Sequence, residues 1–211
     1  MQIGMVVAVL VMVLVSMILH ELAHGVVAYL LGDTTAKDNG RLTLNPIKHL
    51  DLITSVALPV LLFITGGPVF GGAKPVPVDS RRLKWGAWGM ALVAIAGPLT
   101  NFILALIGFL VGHAAGVIYT PGFVGTMVMN FVAINLGFFV FNILPIPPLD
   151  GSRVLYALAP DGVREGMEKI ERTAGIWLVF GLILVFSSAL SVLMSNAISG
   201  ILEFFLMLVG K

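Results

Sequence analysis

His20-Glu21-Leu22-Ala23-His24 sets two imidazoles four positions apart with a carboxylate beside the first. On a helix this step brings both rings to one face, where they can share a tetrahedral Zn2+ while the glutamate serves as general base. The chemistry this performs is Glu-assisted attack of metal-activated water on a peptide carbonyl. From the chain's own His and Glu frequencies, the pattern should arise by accident in roughly one such sequence in five hundred. The surrounding run is apolar, and a charged group at the centre of a membrane helix costs on the order of 2.5–3.5 kcal/mol. Three ionisable side chains within little more than one turn need something to offset that cost, and a metal ion suits them.

A catalytic zinc needs a third protein ligand. The chain has no cysteine, so the ligand must offer nitrogen or oxygen. His49 lies in a polar loop and His113 ends an apolar run, settings in which a histidine needs no function. Asp150 differs, because Asn142-Ile-Leu-Pro-Ile-Pro-Pro-Leu-Asp150-Gly151 carries a carboxylate out of an apolar span on a proline-stiffened backbone. The bland alternative is an Asp-Gly turn at a helix end, and spacing alone does not choose between the two.

These residues must be held by membrane helices. Of 211 residues, 58% are hydrophobic and 11% charged, with mean hydropathy +1.04, far from the mix of a soluble domain. A net charge of +1 without a basic cluster argues against a nucleic-acid partner. Met1–Gly4 lacks the basic start of a signal peptide, so the first apolar run reads as a retained helix. Spans are expected at about 4–31, 88–112, 123–144 and 174–194, with Ile198–Val209 a fifth segment that either crosses back or lies along the membrane. Residues 32–51 read as loop or hairpin, with strand-like alternation at Arg41–Leu44. Ile53–Ile64 is short and contains Pro59, which suits a re-entrant segment. Gly162–Thr173 reads as a surface helix. The expected fold is an all-α polytopic membrane bundle with a re-entrant or β-hairpin insertion after the first span, all in one membrane-embedded domain, 1–211. Gly108, Gly112 and Gly116 fit close packing, either within the chain or against a second copy in a homo-oligomer.

The combination of HELAHG, the Phe70–Val78 stretch FGGAKPVPV, Gly97-Pro-Leu-Thr-Asn101 and NILPIPPLDG, in that order, resembles the site-2 protease family of intramembrane zinc metalloproteases in its compact prokaryotic form. The match covers about residues 10–155. The resemblance implies one zinc ion held by His20, His24 and Asp150, with Glu21 as base. It implicates Asn142 in substrate or oxyanion binding and, more weakly, Asn101 in contact with substrate or with irregular backbone. Related sequences often carry Trp where this chain has Gly72, a departure that touches no proposed ligand but leaves the local groove open. No segment is long enough for the PDZ or CBS domains that some relatives carry.

If the three ligands share one ion, the helix ends that carry them must lie at the same membrane face. A full crossing by 53–64 would put His24 and Asp150 toward opposite faces; a re-entrant segment lets them meet. The re-entrant arrangement also puts every Lys and Arg except the unassigned Lys211 at one face, which the positive-inside rule makes cytosolic. The expectation is a multi-pass protein of the prokaryotic inner membrane that cleaves a transmembrane protein substrate, which would add as an extended strand to the Arg41–Leu44 or Gly71–Val78 edge. Two alternatives remain: a zinc transporter or sensor that uses the same ligands without hydrolysis, and a metallopeptidase that takes a later glutamate, Glu168 or Glu203 among them, as third ligand.

Overall fold

The computed structural model describes residues 2–49 and 74–210. Helix α1 runs Gln2–Leu30 and is followed by the single turns α2 (Thr35–Asp38) and α3 (Pro46–His49). After the gap come α4 (Ala87–Ala114), α5 (Phe123–Asn142), α6 (Asp150–Leu158), α7 (Asp161–Thr173) and α8 (Ile176–Leu208). Four of these contain stretches long and apolar enough to cross a membrane: Ile3–Leu30, Ala87–Ala114, Phe123–Asn142 and Leu184–Leu208. Their apolar residues are spread around the helix, as expected where the outer face meets lipid rather than water.

The three central helices are laced by small residues and aromatics. Ala105 and Phe109 of α4, Val132 and Leu136 of α5, and Phe205 of α8 form a fully buried cluster. Gly108 and Gly112 stand against Phe131 and Val128 of α5, so the glycine stripe closes this helix pair. A second cluster of Ala28, Leu31, Leu83 and Val93 ties the end of α1 to the start of α4.

The all-helical expectation holds among the described residues, but its strand component does not. Residues 42 and 43 form a bend, and 74–79 carry no strand pairing. The reason lies in the side chains: Pro75 and Pro77 lack the N–H a ladder needs, and the Arg41 guanidinium donates to the carbonyls of Lys74 (2.6 Å) and Pro75 (3.2 Å). Thr43 O is bonded by the His49 ring (2.7 Å). The expected re-entrant segment, 53–64, lies outside the described residues. Among the described residues, Lys84 N–H donates to Leu31 O (2.9 Å) and Asp79 N–H to the Asp33 carboxylate (2.7 Å). The chain that leaves α1 therefore returns to the same end of the bundle before α4 begins.

The last span also differs from expectation. The helix α8 runs unbroken through 195–197, and the break falls instead at Phe186 (φ −114°, ψ 24°), where two helical pieces join across a kink. Ser195 hides its polarity by bonding Val192 O within the helix (3.0 Å), so the polar residues there do not end it.

All three tryptophans, Trp85, Trp88 and Trp177, are exposed and sit at the N-terminal ends of α4 and α8. This is the aromatic placement of a membrane–water boundary. Around the same end, Arg81, Arg153, Arg164 and Arg172 line one cavity of about 570 Å3 with Glu168 and Glu171.

Candidate metal centre

Helix α1 carries His20 and His24 one turn apart, both buried, and α6 brings Asp150 to them as its first residue. Pro145, Pro147 and Pro148 end α5 and stiffen the turn that follows, and Gly151 lets α6 lie against it. A Cβ there would fall 2.6 Å from Leu144 O and nearer still to Ile143 O. The helix N-terminus also favours a carboxylate at Asp150.

The three donor atoms converge. His20 Nε2 lies 3.0 Å from His24 Nε2 and 3.2 Å from Asp150 Oδ2, and His24 Nε2 lies 3.4 Å from the same oxygen. Four-coordinate zinc with bonds near 2.0–2.1 Å spaces its ligand atoms about 3.3 Å apart. His24 Nδ1 faces the carbonyl of Val93 (2.7 Å), which can only accept. His20 Nδ1 faces Asn101 Oδ1 (2.6 Å), and the amide nitrogen of Asn101 is turned away toward Asn135 Oδ1 (2.9 Å) and Ser16 O (3.4 Å). Both rings thus carry their proton on Nδ1 and turn an Nε2 lone pair inward, toward a carboxylate oxygen that is buried without a hydrogen-bond donor. Three lone pairs aimed at one point repel one another unless a cation sits between them, so the donor set fits one metal ion.

Helix α4 makes this approach feasible. A Cβ on Gly97 would fall 2.6 Å from His20 Nε2 and closer still to His24 Nε2, so only glycine lets α4 pack behind both rings. Glu21 is half-buried on the open side, where its carboxylate accepts the Val76 N–H (2.8 Å). It shares a cavity of about 510 Å3 with the three ligands, Asn142, Arg153, Val76, Val78, Phe138 and Phe141. Asn142 donates one amide hydrogen to Phe138 O (3.0 Å), leaving a second for the cavity. Asn101, by contrast, is fully buried behind His20, its side chain engaged with His20, Asn135 and Ser16.

Among the described residues no other group of His, Asp and Glu converges in this way. His49 is bonded to Thr43 O, and His113 pairs with the Tyr119 hydroxyl (2.6 Å) at the uncharged end of α4. Glu168 is engaged by Tyr156 and Arg172, and Glu171 by Arg153. Gly97, Val93 and Asn135 belong to the site without having been singled out for it. Only the GPLTN run points to Gly97 in the sequence, and Asn135 is one of three Asn in its apolar span, with Asn130 and Asn142.

Over 164 residues, covering 75% of this chain and 72% of the relative, the sequence is 46% identical to YwhC of Bacillus subtilis (strain 168), a protein named as a zinc metalloprotease by inference. The chain belongs to the site-2 protease family. Rip2 of Mycolicibacterium smegmatis, named in the same way, is 34% identical over 142 residues, 65% of this chain and 52% of the relative. Rip2 of Mycobacterium tuberculosis (strain Erdman) is 32% identical over 180 residues, 84% of this chain and 66% of the relative. The chain therefore spans about half to two-thirds of the Rip2 proteins. No family model matches it, and no solved structure does. These relatives are named for zinc, and the His20, His24 and Asp150 group of this chain can hold one metal ion.

Proposed function

We propose that this site-2 family protein is an intramembrane endopeptidase that cleaves transmembrane segments of membrane-protein substrates. One observation supports the reading: the donor set lies well along α4 from the tryptophans at its start. Gly97, which touches both imidazoles, is nine residues along α4 from Trp88, a depth of about 13 Å at 1.5 Å per residue. A peptide bond reaching that point is within the hydrocarbon region, which begins just inside the tryptophan level.

His20, His24 and Asp150 would hold the zinc, which when bound lowers the pKa of a coordinated water to about 7 and polarises a carbonyl. The remaining work falls to the chain. Asn101 and Val93 O fix the imidazole tautomers. Glu21 accepts the water proton and delivers it to the leaving nitrogen. Asn142 directs its second amide hydrogen into the cavity, where a developing oxyanion would gain from it. Phe138, Phe141 and Val78 make the walls apolar. Water reaches this depth through the charged cavity at the tryptophan end, which shares Met90 and Arg153 with the catalytic one.

The Lys and Arg residues around that end support a cytosolic orientation for it, in the inner membrane of a prokaryotic cell. The test is a comparison of membrane proteins in cells that express wild-type or Glu21→Gln protein. Uncleaved substrates should accumulate in the variant while zinc content stays near one ion per chain. Identical membrane proteomes, together with zinc flux that survives Glu21→Gln, would instead favour the transporter reading.

A further inference from the structure

Residues Lys74–Asp79 run extended past the catalytic glutamate, and their tethering is unusual. At one end Lys74 N–H donates to His49 O (2.8 Å), while Arg41 grips the carbonyls of Lys74 and Pro75. At the other, Asp79 N–H donates to Asp33 Oδ2 (2.7 Å), and Asp33 Oδ1 is held by the Thr35 N–H (3.0 Å) and hydroxyl (2.5 Å). Arg41 and Asp33 are both buried, at 7% and 0% exposure. Charges are not buried at such points without a structural return. Between the tethers, Lys74 and Val76 each precede a proline, which confines their backbones to the extended region. Pro75 and Pro77 remove their own N–H groups, so Val76 offers the single donor in that three-residue stretch. That donor is spent on Glu21 Oε2 at 2.8 Å.

Resting on the reading of Glu21 as general base, we propose that this strap is a positioning device in which the Val76 backbone N–H holds one carboxylate oxygen of Glu21. The other oxygen is thereby aimed at the water to be deprotonated, and Arg41 and Asp33 act as positioning residues through the strap. The Val76 side chain is secondary and the N–H is the working group. A carboxylate on a helix surface otherwise samples several rotamers, and holding it in one recovers rate without strengthening substrate binding.

Two measurements on the full-length protein in lipid nanodiscs test this. In the first, 15N-valine labelling locates the Val76 amide, which a charged acceptor moves downfield. Glu21→Gln should shift it upfield while distant valines stay in place, and an unmoved Val76 amide would overturn the proposal. In the second, hydrolysis of fluorescein-labelled casein and of a synthetic single-span peptide is compared for Val76→Ala, which keeps the N–H, and Val76→Pro, which deletes it. Val76→Ala, which keeps the N–H but trims the cavity wall, should lose less kcat than Val76→Pro. Val76→Pro should lose at least tenfold in kcat with KM and zinc content unchanged, and equal kcat in the two variants would overturn the proposal. Arg41→Ala, which loosens the strap without touching Val76, should reproduce the kcat loss, with partial recovery in Arg41→Lys. Should wild-type protein loaded with zinc cleave neither probe, the proteolytic reading fails, while the amide shift still decides whether the strap holds Glu21.

Discussion

An atom added at Gly97 has nowhere to go, because both imidazoles of the donor set lie against that Cα. Gly97→Ala should therefore weaken zinc binding at least tenfold, read by competition with a chelating dye, while the helical circular-dichroism signal is kept. Asn101→Leu should also weaken zinc, by about 10- to 100-fold, the range for loss of a hydrogen bond that orients a ligand histidine. Asp33 gives a pH prediction. Burial pushes its carboxyl up, but the Thr35 hydroxyl and N–H, the Asp79 N–H and the Arg82 charge outweigh this and hold it below its ordinary value. A depressed carboxyl contributes stability in full above the unfolded value of about 3.9, and that contribution disappears as pH falls through the folded value. Thermal unfolding of the metal-free protein should show melting temperature falling across that acid window. Asp33→Asn should lower it at neutral pH and flatten the acid limb.

Helices were the easy part of the reading, and their joins the hard part. Apolar runs of twenty or more residues specify spans whatever their neighbours do, because unpaired backbone in hydrocarbon is too costly. The break expected between 194 and 198 falls instead at Phe186, because Ser195 satisfies itself inside a helix, which composition does not reveal. The strand reading of Arg41–Leu44 failed because a guanidinium, not a backbone ladder, took the carbonyls of the facing segment. Between helices, Asn135 of α5 is the link to the metal site: fully buried, it anchors the Asn101 amide that orients His20 on α1. Asn135→Leu should leave Asn101 free to rotate and reduce zinc affinity several-fold, measured by the same dye competition. An unchanged affinity would confine Asn135 to packing.

At the scale of the molecule, zinc would tie α1 to α6, so its removal should loosen the whole bundle. At free zinc a thousandfold above Kd, the bound ion contributes about 4 kcal/mol, and chelation should lower the melting temperature accordingly. The chain has no cysteine, so single-cysteine variants label cleanly. Cysteines placed at Asn39 and Ser80 should react from one side of a sealed vesicle and one at Thr120 from the other, since Leu31 and Lys84 meet at a single end of the bundle. The sequence by itself determined the membrane class, the first three spans and the pair His20 and His24 with Glu21 beside them, because these rest on apolar length and helical period, which are local. Only the tertiary structure decided that Asp150 faces those rings, that Gly97 and Asn101 stand behind them, and that Val76 reaches Glu21. Those are contacts between residues 55 to 130 positions apart, and nothing in a local pattern says which distant surfaces will meet.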